Sequence, residues 1–250
     1  MTIQKVAVIT GASRGIGAAT AKLFAKQGYA VCINYKSNKN AAEDVAQAIT
    51  SDGGKCIIVQ ADVSCEKDVV NMFEKVENAL GKVSVLVNNA AILKTQSRLE
   101  DMTAARINEV LTTNITGYFL CCREAVKRMS TALSGDGGVI VNVSSAAART
   151  GSPNEYIDYA ASKGAIDTLT KGLALEVAAE GIRVNCVRPG LIYTDMHSDG
   201  GEPKRIERLK NAIPMKRGGQ PDEVAEAIYW LASDKSSFAT GNFLDLAGGL

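Results

Sequence analysis

Short runs of apolar, largely β-branched residues recur along the chain at 5–10, 30–35, 56–61, 83–88, 139–144, 183–187 and 243–246. The run Val83-Ser84-Val85-Leu86-Val87 is nearly continuous rather than alternating. That pattern suits a strand covered on both faces, as in a parallel sheet. Segments with helical spacing lie between the runs, among them 18–27, 41–51 and 67–80. In the third, Val69, Met72, Phe73, Val76 and Leu80 recur at three- and four-residue steps and make one apolar face. Strand alternating with helix predicts an α/β fold with right-handed crossovers. No repeat, low-complexity tract or linker-like shift in composition divides the chain, so one domain over 1–250 is expected. The longest polar, irregular stretch begins near Tyr193, runs to about Lys204 and contains Gly200-Gly201 and Pro203. It reads as a lid or binding loop, with a mobile surface connection as the plainer alternative.

Composition narrows the class. The chain has 250 residues, enough for a sizeable core, with 28 Lys+Arg against 27 Asp+Glu. This balance argues against a broad nucleic-acid or acidic-lipid surface, which needs a strongly positive field. No apolar run approaches the roughly 18 residues of a membrane span. Residues 1–5 lead directly into the first strand, leaving no room for a signal peptide, so a cytoplasmic protein is expected. Cys32, Cys56, Cys65, Cys121, Cys122 and Cys186 form no Cys-x-x-Cys pair and have no histidine at metal-ligand spacing. They read as buried or half-buried thiols, with no metal site expected.

The first strand runs straight into Thr10-Gly11-Ala12-Ser13-Arg14-Gly15-Ile16-Gly17, which opens a helix. Glycines there permit a tight turn and let backbone N–H groups approach a pyrophosphate, which the helix dipole also favours. A lone glycine triplet is weak evidence; the strand–turn–helix setting makes it a dinucleotide site. The second strand ends Asn34-Tyr35-Lys36-Ser37, without the carboxylate that would bind an adenosine ribose and repel a 2′-phosphate. Lys36 and Arg14 supply positive charge instead, which favours NADP(H) over NAD(H). Lys36 as a plain solvated turn residue is the alternative.

Tyr159 and Lys163, in Tyr159-Ala160-Ala161-Ser162-Lys163, lie one turn apart on a helix-like run reaching about Ala179. A tyrosine of ordinary pKa is a poor base at neutral pH, and a nearby ammonium is expected to lower that pKa towards the working range. Such a pair arises by chance on many helices. Its company matters more: Ser144-Ser145 ends the fifth strand and Asn88-Asn89-Ala90-Ala91 the fourth, at the edge where α/β folds bind ligands, and Asn114 lies in the next helical region. His197 is the only histidine, so triad and zinc chemistries have almost nothing to work with; it reads as a solvated or substrate-edge residue.

These residues resemble the short-chain dehydrogenase/reductase family in its compact form. TGASRGIG at 10–17, Asp62-Val63, NNAA at 88–91, Asn114, NVSS at 142–145, YAASK at 159–163 and Pro189-Gly190 with Thr194 follow the family's order over nearly the whole chain. The likeness is to bacterial glucose 1-dehydrogenase-like oxidoreductases and 3-oxoacyl-carrier-protein reductases. It implies one doubly wound Rossmann domain with a parallel seven-stranded sheet, in a homotetramer. It also implies roles. Tyr159 would be the acid/base. Lys163 would lower its pKa and hold the nicotinamide ribose. Ser145, with Ser144 as fallback, would bond the substrate oxygen, and Asn114 would hold a water relaying protons to Lys163. Gly11, Ser13, Arg14, Gly15, Ile16, Gly17, Tyr35 and Lys36 would line the phosphate and adenosine end. Asp62 and Val63 would flank the adenine, Asn88 and Ala90 the ribose side, and Pro189, Gly190, Ile192 and Thr194 the nicotinamide.

Two departures stand out. Ala91 replaces the usual glycine of NNAG, which requires a negative φ there. Leu175, Glu176 and Glu180 stand where carrier-protein reductases tend to be basic, although Arg123, Lys127 and Arg128 lie on another helix. The expected function is therefore NADP(H)-dependent hydride transfer between the nicotinamide and a small carbonyl or secondary alcohol of the sugar, ketone or aldehyde class. A carrier-protein reductase ranks second, and a non-catalytic NADP(H)-sensing protein is a rival of another class. Specificity is expected in the segment 193–212.

Overall fold

Strand β1 (Val6–Ile9) shows why both faces of the sheet are covered. Val6 and Val8 enter one apolar cluster, Ala7 and Ile9 the other, and all four are fully buried. The computed structural model describes residues 4–250. Residues 1–3, the start of the segment read above as leaving no room for a leader, lie outside the described residues.

After β1 come α1 (Gly15–Lys26), β2 (Ala30–Tyr35), α2 (Lys39–Ser51), β3 (Lys55–Gln60), α3 (Glu66–Leu80) and β4 (Val83–Asn88). The chain continues through α4 (Ala104–Leu111), a π-helical turn (Thr112–Thr116), α5 (Gly117–Met129), β5 (Gly138–Val143) and the one-turn α6 (Ala147–Thr150). Then follow α7 (Ile157–Val177), β6 (Ile182–Pro189), α8 (Met196–Asp199), α9 (Arg205–Leu209), α10 (Pro221–Ala232) and β7 (Phe243–Leu246). Each apolar run of the sequence is a strand, displaced by two residues at most, as expected when only the run's ends are ambiguous.

The seven strands form one all-parallel sheet in the order β3-β2-β1-β4-β5-β6-β7. Helices α1, α2 and α10 cover one face; α3, α5 and α7 cover the other. The α3 residues Val69, Met72, Phe73 and Val76 are fully buried, and burying each large apolar side chain contributes about 1.5–3 kcal/mol. The strand order reverses between β1 and β4. Parallel sheets open a crevice at the carboxyl ends of such strands, and every candidate motif lies at that edge.

All six cysteines are free thiols; Cys65 is exposed, unlike the buried or half-buried others. It precedes α3 at the helix N-terminus, where the chain turns outward. No described helix is long and apolar enough to cross a membrane.

Candidate active site

The phosphate loop keeps its shape through backbone and amide contacts rather than through its own side chains. Gly11 has a φ of 61°, and a Cβ there would come within 2.8 Å of the Ala90 Cα. A Cβ on Gly17 would lie 2.5 Å from the Gly11 carbonyl oxygen and 2.6 Å from Asn89 Nδ2, so both positions exclude a side chain. Asn89 Nδ2 donates to the Thr10 and Gly11 carbonyls at 2.9 and 3.0 Å. The Gly11 N–H donates to Asn34 Oδ1 at 3.1 Å. Helix α1 begins with no side-chain cap and no acidic residue in its first turn. Its first N–H groups therefore point into the cleft as anion donors. These features fit a dinucleotide pyrophosphate.

One lobe of the cleft is lined by Gly11, Ser13, Arg14, Gly15, Ile16, Tyr35, Lys36, Asp62, Val63, Ala90 and Thr194, all candidates from the sequence, together with Asn34, Asn89 and Thr113. Its two cations are each met by a carboxylate. Lys36 Nζ lies 2.7 Å from Asp62, and Arg14 pairs with Asp199 of α8. Burial alone would raise the Asp62 pKa, but Lys36 and the Ser64 hydroxyl and N–H outweigh it and hold the carboxyl below its usual value. No acid ends β2, yet the parallel pairing of β2 with β3 brings one from the next strand. Asn88 is placed otherwise than expected. Its side chain turns into the core and donates to Asn142 Oδ1 at 3.0 Å and to Cys122 Sγ at 3.2 Å, leaving Asn89 to line the cleft. Ala91 is not among the residues with left-handed backbone, so its methyl needs no strained conformation.

The second lobe, about 260 Å³, shares Ile16, Asn89, Ala91, Thr194 and Met196 with the first, so the two are continuous. It is lined by Ser145, Tyr159, Lys163, Pro189, Gly190 and Ile192 among others. Tyr159 and Lys163 share one face of α7, whose first turn is anchored by Asp158 against Arg106 at 2.8 Å. Ser145 Oγ accepts from the Ala147 N–H at 3.1 Å and donates to the Pro189 carbonyl at 3.5 Å, and it lies near enough to the Tyr159 phenol to favour the phenolate. Ser144 turns away, donating to the Lys163 carbonyl at 3.1 Å. Lys163 is fully buried; its ammonium donates to the Val143 carbonyl at 2.8 Å and to Tyr118 Oη at 3.3 Å, and lies 5.5 Å from the Tyr159 ring centroid.

Burial pushes the Tyr159 phenol up to about 12, partly countered by the nearby Ser145 hydroxyl. Burial also pulls the Lys163 ammonium down to about 8. This departs from the expectation that Lys163 lowers the phenol's pKa. The ammonium bonds other oxygens, and desolvation dominates both groups. Asn114 sits fully buried in the π-helical turn. It accepts from the Ile92 N–H at 2.8 Å and donates to the Ile92 carbonyl at 3.0 Å and Ser162 Oγ at 3.2 Å. It thus braces the segment after β4 against α7.

The segment expected as a loop near 193–204 carries one helical turn, α8, between turns, and about half of its residues are exposed. A Cβ on Gly200 would meet Leu93 at 2.8 Å and the Tyr156 hydroxyl at 2.9 Å. Arg205, 9% exposed, pairs with Glu155 and, at 3.2 Å, with Glu202; Arg208 engages the same two carboxylates. These pairs clamp α9 to the loop before α7. His197 in α8 bonds the Ile192 carbonyl through Nε2 at 3.0 Å; burial holds its pKa below the usual value, so the ring is neutral at pH 7.

The family model described as enoyl-(acyl carrier protein) reductase matches residues 11–250. The chain belongs to the short-chain dehydrogenase/reductase family. It is 63% identical over 98% of its length to the oxidoreductase YgfF of Escherichia coli, 99% of which is covered. It is 37% identical over its full length to the 3-oxoacyl-acyl-carrier-protein reductase FabG of Staphylococcus aureus, again covering 99%. Its structure matches a short chain dehydrogenase from Burkholderia cenocepacia J2315 in complex with NADP, with a TM-score of 0.90, 32% identity, and coverage of 100% and 99% of the two chains. As a short-chain dehydrogenase/reductase the protein is an oxidoreductase that works with a nicotinamide cofactor.

Several supports of this dehydrogenase site escape motif reading. Tyr118 receives the Lys163 ammonium and donates to the Val143 carbonyl at 3.0 Å; its spacing of four from Asn114 is the one signal the chain offers. Asn34 and Asn89 brace the phosphate loop, and Asn34 could have been noticed as a lone amide in the apolar strand Ala30–Tyr35. The Arg205–Glu155–Glu202 cluster joins segments far apart in sequence and leaves no local pattern.

Proposed function

We propose that this chain is an NADP(H)-dependent oxidoreductase that interconverts a small carbonyl compound and its secondary alcohol, with Tyr159 as acid/base. The observation that carries this reading is the Tyr159 phenol, with Ser145 on the same lining and the Lys163 ammonium 5.5 Å from its ring centroid, in a lobe continuous with the phosphate-loop lobe. The nicotinamide, when bound, supplies or accepts the hydride. Ser145 holds the substrate oxygen beside the phenol. In reduction Tyr159 gives that oxygen its proton, and a phenol pushed up to about 12 carries one throughout the neutral range. In oxidation the same oxygen takes the alcohol proton. Lys163 holds the ribose, steadied by Val143 and Tyr118. The role of Asn114 is to brace Ile92 and Ser162 and to hold a water that passes protons to Lys163.

NADP(H) is favoured over NAD(H) because Arg14 and Lys36 flank the adenosine end and β2 ends without a carboxylate. A 2′-phosphate there would compete with Asp199 and Asp62 for them. Reduction of a carrier-bound acyl group is the second reading, supported by the FabG relatives. Against it, Arg123, Lys127 and Arg128 are matched by Glu66, Glu77 and Glu124, which leaves no free basic patch on α5 for an acidic carrier. A homotetramer in the cytoplasm belongs to the same proposal; half-exposed Phe119 and Trp230 and exposed Leu175 supply apolar surface for contacts between copies. The test is consumption of NADPH and NADH, side by side, against aldehydes, ketones, sugars and acyl thioesters. NADPH-preferring turnover is expected; binding of NADPH without any turnover would favour the sensor.

A further inference from the structure

The walls of the substrate lobe carry a chemical preference, which rests on the oxidoreductase reading above. Past Ser145 and Tyr159 the cavity is faced by Leu93, Ala147, Met196, Leu209, Leu250 and the ring of Tyr156. No Asp or Glu side chain lines it among the described residues, and its two cationic side chains, Lys163 and Arg205, are both engaged. Lys163 serves Val143 and Tyr118. The Arg205 guanidinium is held by Glu155 and Glu202 and lies 5.0 Å over the Tyr156 ring. An anionic substrate therefore meets no free positive charge.

The polar atoms are similarly occupied. Tyr156 Oη donates to the Gly200 carbonyl at 3.1 Å, and His197 Nε2 bonds the Ile192 carbonyl. His197 Nδ1 is buried without a partner among the described residues and presents no accessible surface to the lobe. The hydroxyls of Thr150, which is exposed, and Ser152, which is half-buried, are exceptions: they make no hydrogen bond among the described residues, and both residues are open to solvent. A sugar brings several hydroxyls into this space, and each one buried without a partner lowers transition-state binding.

We propose that the substrate is an uncharged ketone, or its secondary alcohol, with hydrocarbon arms on the reacting carbon. In reduction the carbonyl carbon gains a hydride as the reduced nicotinamide is oxidised. The C=O π pair moves to oxygen, which takes the Tyr159 proton, and the phenolate regains one from water.

Two nearly isosteric pairs test this with the full chain and NADPH: diethyl ketone against dihydroxyacetone, and methyl isoamyl ketone against levulinate. An added hydroxyl in an apolar pocket is discriminated by roughly a hundredfold at most, so kcat/KM should favour diethyl ketone by about ten- to a hundredfold. The uncharged member of the second pair should lead by at least as much. In Leu209→Gln, which puts an amide into the wall, the first ratio should shrink several-fold. Equal or faster turnover of dihydroxyacetone or levulinate overturns the proposal alone, and an unchanged ratio in the variant removes the wall as its cause. If none of the four ketones is reduced while an aldehyde, sugar or acyl thioester is, this proposal falls alone; if NADPH binds and nothing in that wider panel turns over, the oxidoreductase reading falls with it.

Discussion

The two lobes of the cleft are built on different principles. The phosphate lobe is made largely of consecutive residues, Gly11 to Gly17, and it offers backbone N–H groups at the start of α1. The substrate lobe is assembled from side chains that follow β4, β5 and β6, and its walls are hydrocarbon. A backbone cradle recognises a feature shared by many ligands, whereas a wall of distant side chains recognises one shape. The lesson is that one lobe can be read from a short motif while the other requires the folded chain.

The largest effect should come from breaking the substrate lobe alone. Tyr159→Phe removes the proton donor and should lower kcat by about 10²–10⁴-fold. NADPH affinity, measured by fluorescence titration, should stay within about threefold, because the phosphate contacts are elsewhere; equal losses in both would argue against the acid/base role.

The converse experiment breaks the cofactor lobe. Arg14→Gln combined with Lys36→Gln should weaken NADPH by roughly ten- to a hundredfold, the range expected for lost charge-assisted contacts. NADH binding should change little, and an unaltered NADPH-to-NADH ratio would remove the two cations from the specificity argument.

A third test addresses the joint between the lobes. Lys163 has its pKa pulled down to about 8 by burial, so it is charged below that value and loses its proton as pH rises through it. The kcat/KM for NADPH should be flat below about pH 8 and fall above it by up to tenfold per unit. In Lys163→Ala this limb should vanish along with most activity. For folding, the sign is opposite. Between the depressed folded value and the ordinary lysine value the unfolded chain binds more protons, so this residue's contribution to stability rises with pH there.

The smallest effect concerns an ion pair joining α8, over the substrate lobe, to the phosphate loop. Arg14–Asp199 is about half exposed on both sides, and such pairs contribute 0.2–1 kcal/mol. Asp199→Asn should tighten NADPH by about threefold or less, with NADH unchanged. Tighter binding of both cofactors would mean that α8 itself, rather than its charge, restrains the loop.

Much of the cofactor side was legible in the chain. Glycine spacing dictates the turn, and the missing acid after β2 can be read directly. What eluded local reading is the carboxylate that meets Lys36. Asp62 belongs to the end of β3, and only strand pairing brings it alongside. The adjacent amides Asn88 and Asn89 pose a similar problem. Their identities are the same, and the pleat decides that one faces Asn142 in the core while the other lines the cleft. On the substrate side, the spacing of Tyr159 and Lys163 was visible, but the direction of the phenol's pKa was not, because burial is a property of the assembled fold. In the polar stretch after β6 the single helical turn α8 was not legible, since the contacts made at Gly200, with Leu93 and Tyr156, come from other segments.

The sequence by itself determined the order of strands and helices, the phosphate turn and the one-face placement of Tyr159 and Lys163. Each of these depends on the chain's own covalent spacing and on local backbone sterics. Tertiary structure decided which groups are buried, which ions are paired and what the substrate meets. Those depend on desolvation and on contacts between residues tens to hundreds of positions apart, such as Arg14 with Asp199 and Arg205 with Glu155.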